Sequence, residues 1–170
     1  PSSRFIHMGM TSSDVLDTAY ALIISRSADL ILAALDRLLA ALKARALEHK
    51  HTLTIGRSHG IHAEPVSFGF KLAGFFAEFA RHRRRLEQAK AAAGRGKISG
   101  AVGTYAHVPP ELEAKVMAEL GLAPAPASTQ VVSRDGLAEY FCALAVLGGG
   151  VERLATEVRH LQRTEVREAE

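Results

Sequence analysis

The sequence predicts an all-α fold, a bundle of long helices. From Ser12 to about Lys50 the chain contains neither proline nor glycine, so nothing there interrupts a helix. Apolar residues in this stretch recur at spacings of three, four and seven, which place them on one helix face. They are Ile24, Ile31, Leu35, Leu38 and Leu42. No segment alternates between apolar and polar residues strongly enough to predict a strand.

The apolar surface of this first helix is wider than one partner helix would cover. Leu22, Leu32 and Leu39 lie off the main face. A wide apolar surface indicates burial against several neighbours. We therefore expect more than one helix to pack against it, some of them from other subunits.

Two further helices follow before the long final one. The second is predicted from about Pro65, since proline suits a first helical turn, to Ala93, just before Gly94. Pro110 opens a short third helix that ends at Gly121. Glycine-rich or proline-rich loops separate these helices and predict polar connections at their ends.

The final helix starts at about Asp135 and carries a heptad pattern typical of a bundle. One register holds Leu137, Leu144, Val151 and Val158, and the other holds Tyr140, Leu147, Leu154 and Leu161. Three glycines, 148 to 150, interrupt it. Each costs roughly 1 kcal/mol relative to alanine, so close packing or a bend should compensate.

Composition narrows the class of protein. With 170 residues, 48% hydrophobic and 23% charged, the chain resembles one soluble globular domain. The net charge is +3, but the basic run over 81–85 lacks interleaved aromatic residues and indicates a solvated helix face rather than a nucleic-acid site. No uninterrupted apolar run of about 20 residues and no signal peptide is evident, so we expect a cytoplasmic protein without a membrane partner. The single cysteine, Cys142, is expected to be buried.

The two ends of the chain suggest a piece of a longer protein. The sequence opens at Pro1 without an initiator methionine and closes at Glu170 within a helical pattern that has no cap. We expect residues before and after this stretch.

Polar residues gather in three places near predicted helix ends. The first is HMGMTSSD, from His7 to Asp14, where Thr11 and Asp14 have the spacing of a capping box. The exposed amides and the dipole of a long helix would also attract a carboxylate or phosphate there, aided by the hydroxyls of Thr11 and Ser12. Both roles are open at this point.

The second place is TIGRSHGIHAEP, from Thr54 to Pro65. His59, His62 and Glu64 lie close together, but no further strong ligand is patterned around them, so a metal site is disfavoured. A histidine titrates near neutral pH and suits a general acid. It could equally cap a helix or hold the loop.

The third place combines KISGAVGT with STQVVSRD. Gly100 and Gly103 would let backbone amides approach a ligand closely, and the amide of Gln130 could hold a carboxylate. Either loop could be purely structural, and the three places together do not define a reaction.

Four blocks, in this order and spacing, resemble the adenylosuccinate lyase family of the fumarase and aspartase superfamily. They are HMGMTSSDVLDTA, GRSHGIHAEPVSFG, KISGAVGTYAHVPP and STQVVSRDGLAEYF, and the match covers essentially the whole chain. The resemblance implies the long-helix bundle of that superfamily. It also implies a β-elimination of fumarate from adenylosuccinate, giving AMP, and from the succinylated aminoimidazole carboxamide ribonucleotide of purine synthesis, with no cofactor and no metal.

The same resemblance implies roles for individual residues. His59 would be the general acid, with Ser58 beside it as a substrate-binding hydroxyl where the family more often has threonine. Thr11 and Ser12 would bind the succinyl end of the substrate, and Gln130 would also bind substrate. His7 and Lys97 lie in matching blocks without an assigned role.

The resemblance also sets expectations for organisation. Residues 1–11 would end an N-terminal domain, and 12–170 would form part of the central helix-bundle domain. The general base would come from a serine loop beyond Glu170, and each active site of a homotetramer would draw on several subunits, so the chain alone would be inactive. Alternatives are another superfamily lyase, such as argininosuccinate lyase, or a noncatalytic helical assembly module.

Overall fold

Helices dominate the computed structural model, which describes all 170 residues. The four α-helices are α1 (Ser12–Glu48), α2 (Phe68–Ala93), α3 (Pro110–Leu120) and α4 (Asp135–Leu161), preceded by a short 3-10 helix over Ser2–Phe5. The predicted all-α bundle of three long helices and one short helix is confirmed. The strands are β1 (Leu53–Ser58), β2 (Ile61–Ser67), β3 (Arg95–Gly96) and β4 (Ala123–Pro124).

The segment between α1 and α2 is an antiparallel β-hairpin, which the sequence did not predict. β1 pairs with β2 from Leu53↔Ser67 to Ser58↔Ile61, with an irregularity between Ile55 and Arg57. Most of its residues are exposed, so no buried face imposes an apolar alternation. The prediction that Pro65 starts the second helix was wrong: Pro65 lies in β2 opposite Ile55.

The chain forms two compact units. The first unit consists of Pro1–Leu30 and Glu87–Cys142. Ile98, Val108 and Met117 form a buried cluster there, with Met10, Val116 and Leu122 packed against it. The short parallel pair of β3 and β4 lies in the same unit. A Cβ at Gly96 would come within 2.6 Å of the Met117 Sδ atom, so glycine permits this close packing.

The second unit consists of Ile31–Leu86 and Ala143–Glu170. Its buried side chains come from three helices: Leu32, Leu35 and Leu42 of α1, Phe75, Phe79 and Leu86 of α2, and Leu147 and Leu161 of α4. Ion pairs between Lys71 and Glu157 and between Glu78 and Arg153 join α2 to α4. At Gly150 a Cβ would lie 2.6 Å from the His82 Nε2 atom, so close packing compensates for this helical glycine.

Large apolar side chains remain exposed on α1 and α4. On α1 they are Val15, Leu16, Tyr20, Ile23, Leu30 and Leu47. On α4 the register of Tyr140 and Leu147 is buried, whereas Val151 and Val158 of the other register are exposed. Cys142 is also exposed, so the prediction of a buried thiol was wrong: it faces away from the buried side of α4.

α1 is long and apolar enough to cross a membrane by length and composition alone. One third of its most apolar window is buried in this chain, and core helices of soluble proteins have the same properties. The expected lack of a membrane partner stays a prediction.

Truncating the fully buried Phe79 should destabilise the second unit. Phe79→Ala removes a ring that has no exposed surface, and we expect the free energy of unfolding to fall by about 3 to 5 kcal/mol in urea denaturation. Phe79→Leu keeps most of the apolar volume and serves as the matched control, with an expected loss of about 1 to 2 kcal/mol. Equal losses for the two variants would contradict the buried position of the ring.

Candidate active site

The first turn of α1 carries the predicted capping interaction. The backbone N–H of Thr11 donates a 2.8 Å hydrogen bond to Asp14 Oδ2, the acidic half of a capping box. Thr11 is half-buried and Ser12 is exposed, whereas Asp14 is buried. Ser12 is therefore accessible at the start of α1, whereas the Asp14 carboxylate of the same turn is buried.

The Asp14 carboxylate also holds the glycine-rich loop that follows β3. The backbone N–H groups of Ser99 and Gly100 each donate a 3.2 Å hydrogen bond to it. Lys97 Nζ forms an ion pair with the same carboxylate and donates a 3.2 Å bond to the Gly100 carbonyl. Both charged side chains are fully buried. Four donors thus converge on one carboxylate, which satisfies it completely.

These partners control the ionisation of Asp14. Burial by itself raises the pKa of this carboxyl, but the hydrogen bonds from Lys97, Thr11 and Ser99 outweigh burial and leave the pKa below its ordinary value of 3.8. Hydrogen bonds to the charged form favour that form. Asp14 is therefore an anion at neutral pH.

A second buried carboxylate, Glu113 of α3, supports the other side of the glycine-rich loop. It accepts hydrogen bonds from the Ile98 N–H at 2.6 Å and from the Tyr105 hydroxyl at 2.7 Å. The bond to Glu113 raises the pKa of Tyr105 to about 12. Tyr105 has a φ of 57°, a left-handed conformation that is uncommon outside glycine and is held here by these contacts.

The loop that carries Gln130 is tied to the same assembly. Asp17 of α1 accepts bonds from the Val132 N–H at 2.8 Å and from Arg134 Nη2 at 3.0 Å. The hydroxyls of Ser99 and Ser128 lie 3.0 Å apart. Gln130 itself is exposed. The structure therefore anchors both ends of a segment whose amide side chain faces solvent.

His59 lies at the tip of the hairpin in the second unit. His59 and Gly60 form a two-residue loop with φ values of 53° and 74°. Positive φ at both central residues defines a type I′ turn, whose twist matches that of the strands. Ser58, His59 and His62 are exposed. A left-handed conformation at a non-glycine residue is enriched at functional sites.

Glu168 holds strand β1 of the hairpin. Its carboxylate accepts bonds from Thr54 Oγ1 at 2.9 Å and from Arg57 Nη2 at 2.6 Å. The bond from Arg57 lowers the pKa of Glu168 below its ordinary value. β1 is therefore fixed by a residue more than a hundred positions away in the chain.

The residues expected in the site fall into two groups. Thr11, Ser12 and Gln130 belong to the first unit, and Ser58 and His59 belong to the second. No group of three or more His, Cys, Asp or Glu side chains is placed to hold a metal ion. The functional roles of these five residues stay predictions.

Sequence reasoning missed the residues that support the first group. Asp14 was identified only as a possible cap, Lys97 had no assigned role, and Glu113 was not considered. The available signal was Lys97 itself, a lysine within a glycine-rich apolar stretch. Since lysine is almost never buried unless it is paired, a buried Lys97 would need an acidic partner.

A family model described as lyase matches residues 2–170. Together with the long-helix bundle and its polar loops, this match shows that the chain belongs to the lyase family.

Individual relatives are more specific. The chain is 55% identical over 169 residues to an adenylosuccinate lyase of Synechocystis sp., covering 99% of this chain and 39% of that protein. It is 54% identical over 168 residues to an adenylosuccinate lyase of Thermotoga maritima, again covering 99% and 39%. The chain thus spans about two fifths of the length of these curated relatives.

Among solved structures, a fumarate lyase from Mesorhizobium sp. BNC1 superposes with a TM-score of 0.88 at 33% identity. The superposition covers 97% of this chain and 40% of that structure. The expected superfamily fold is confirmed.

Removing the charge of Asp14 should destabilise the protein in a pH-dependent way. Asp14→Asn leaves Lys97 buried without its partner, and we expect a loss of about 3 to 5 kcal/mol at pH 7. The folded-state pKa of Asp14 is lowered from 3.8, so its stabilisation is complete well above that pH and is lost as the pH falls through the lower folded value. Urea denaturation between pH 7 and about pH 2 should show a constant difference in the free energy of unfolding between the two proteins well above pH 3.8, and a shrinking difference below it.

Asp29→Asn is the matched control, since Asp29 forms an exposed ion pair with Lys90 in the same unit. It should cost no more than about 1 kcal/mol. If the difference in the free energy of unfolding between wild type and Asp14→Asn does not change with pH, this account is contradicted.

Proposed function

We propose that this chain is part of an adenylosuccinate lyase. The observation that carries the proposal is the identity of 54 to 55% to curated proteins of that name across nearly the whole chain. The anchored helix start, the glycine-rich loop and the histidine at a strained hairpin tip supply polar groups suited to this reaction. The enzyme is proposed to act in purine nucleotide biosynthesis.

The proposed reaction is a β-elimination that breaks a carbon–nitrogen bond. Adenylosuccinate would yield AMP and fumarate, and the succinylated aminoimidazole carboxamide ribonucleotide would yield its carboxamide and fumarate. A base removes a proton next to a carboxylate, the carbon–nitrogen bond breaks, and an acid protonates the departing nitrogen. The developing negative charge on the carboxylate needs hydrogen-bond donors around it.

His59 is the proposed general acid. It is exposed and lies in a two-residue turn in which both residues have positive φ. Such a turn on paired strands holds a side chain more firmly than an unpaired loop would. Ser58, at the end of β1, would offer its hydroxyl to the substrate beside it.

Thr11 and Ser12 are proposed to bind the succinyl end of the substrate. They stand at the N-terminus of a 37-residue helix, where the amides and the dipole favour a carboxylate. Gln130, exposed on an anchored loop, would donate its amide N–H to the substrate.

The whole enzyme is proposed to be a cytoplasmic homotetramer whose active sites are shared between subunits, without a cofactor, nucleic-acid partner or membrane partner. The exposed apolar faces of α1 and α4 support association with other copies. In this proposal residues 1–11 end an N-terminal domain, and 12–170 are part of the central bundle domain.

Replacing His59 by asparagine should separate the chemistry of this position from its backbone conformation. Asparagine tolerates the left-handed conformation but does not act as a general acid near neutral pH. In the whole enzyme, His59→Asn should lower kcat for adenylosuccinate by at least about a hundredfold. The absorbance change on cleavage gives the rate, and circular dichroism checks the fold.

His62→Asn is the control, because His62 is also exposed but lies within β2. Its kcat should stay within about threefold of wild type, the scale of a change outside the chemical step. A His59→Asn enzyme with wild-type kcat would remove His59 from the mechanism.

A substrate panel tests the proposed reaction. The whole enzyme should cleave adenylosuccinate and the succinylated carboxamide ribonucleotide, and it should leave argininosuccinate intact. The 170-residue chain alone should show no turnover, because it spans only 39% of the relatives' length. Cleavage of argininosuccinate in preference to both nucleotides would overturn the proposal in favour of a different lyase of the superfamily.

A further inference from the structure

Two fully buried charges meet at the first turn of α1, which also holds the proposed succinyl-binding residues. The Asp14 carboxylate accepts a hydrogen bond from the Thr11 N–H at 2.8 Å, so it lies within the first turn of α1. Lys97 Nζ contacts the same carboxylate, and neither side chain has any exposed surface. An ion pair therefore underlies a surface that is proposed to receive a dicarboxylate.

Asp14 alone would oppose that binding. The N-terminus of a helix attracts anions through its free amides and its dipole. A buried carboxylate in the first turn uses part of that attraction and repels a second anion, because charges in a poorly solvated interior are weakly screened. A dicarboxylate at Thr11 and Ser12 would meet this repulsion unless a nearby cation cancelled it.

Lys97 is placed to supply that cation from a fixed backbone. Its own N–H donates to Thr18 Oγ1 at 3.0 Å, and its carbonyl accepts from the same hydroxyl at 3.0 Å. Its ammonium group donates both to Asp14 and to the Gly100 carbonyl, the latter at 3.2 Å. Lys97 thus neutralises the Asp14 carboxylate. It also holds the loop whose backbone amides donate to that carboxylate.

Stability alone does not explain this pair. A buried ion pair often stabilises a protein no more than apolar side chains of similar volume would, because both ions lose their hydration. The neighbouring cluster of Ile98, Val108 and Met117 shows that this unit also packs apolar side chains. The position of the pair, under the start of α1, indicates a role in binding.

We propose that Lys97 is a positioning residue for the dicarboxylate end of the substrate, which it serves by neutralising Asp14 beneath Thr11 and Ser12. The proposal rests on the proposed function of these two residues. Lys97 acts through Asp14 and the helix start, without touching the substrate.

Equilibrium binding to the whole enzyme tests the role of Lys97, with fumarate as the dicarboxylate probe and AMP as the probe without a succinyl group. Lys97→Met keeps an unbranched apolar stem but leaves the Asp14 charge uncompensated. It should weaken fumarate binding by about tenfold or more, while AMP binding stays within about twofold. Isothermal titration calorimetry measures both affinities, and gel filtration checks assembly.

The double variant Asp14→Asn/Lys97→Met separates charge from structure. It removes both charges, so fumarate binding should recover to within about threefold of wild type even though the ion pair is absent. A purely structural pair would make the double variant at least as weak as the single one. Lys90→Met, which removes a lysine from the exposed pair with Asp29, is the matched control and should leave both affinities unchanged.

The outcomes distinguish this inference from the proposed function. If wild-type enzyme neither cleaves adenylosuccinate nor binds fumarate, the proposed function itself fails. If wild type does both, then unchanged fumarate binding in Lys97→Met, or no recovery in the double variant, overturns the role of Lys97 alone. If Lys97→Met does not assemble, fumarate binding by the double variant decides between the two explanations. Failure of the double variant to fold would show that the pair is structural and would also overturn the proposal.

Discussion

The Asp14 carboxylate is the interaction on which the first unit depends. It accepts hydrogen bonds from Thr11, Ser99, Gly100 and Lys97, and so joins the start of α1 to the glycine-rich loop. A buried carboxylate with this many partners leaves little freedom to the segments that supply them, because each lost bond would expose an unsatisfied charge. The helix start and the loop therefore keep one arrangement, which the proposed dicarboxylate-binding surface would require.

The hairpin of the second unit restricts the backbone at one residue, His59. Positive φ at His59 and Gly60 allows a two-residue turn, and the Glu168 carboxylate accepts hydrogen bonds from Thr54 and Arg57 along β1. Paired strands restrict the backbone on both sides of the tip. The backbone at His59 is thus determined by its neighbours, while its imidazole remains accessible to solvent.

Helix α4 shows how one heptad pattern serves two purposes. Tyr140, Leu147 and Leu161 are buried within the chain, whereas Val151 and Val158 of the other register are exposed. Burial of the exposed apolar faces of α1 and α4 against another surface is favourable in water. The pattern in the sequence specifies both registers equally, and only the packing shows which of them the chain covers by itself.

The sequence by itself determined the number and order of the helices, because their period, the glycines that follow their ends and the Thr11–Asp14 spacing are local features of the chain. It also pointed to His59, Thr11, Ser12 and Gln130 through a family resemblance. Tertiary structure alone decided the hairpin, whose exposed faces carry no apolar alternation, and the pairing of Asp14 with Lys97. Those two residues are 83 positions apart, and no local pattern encodes a contact between side chains that distant in sequence.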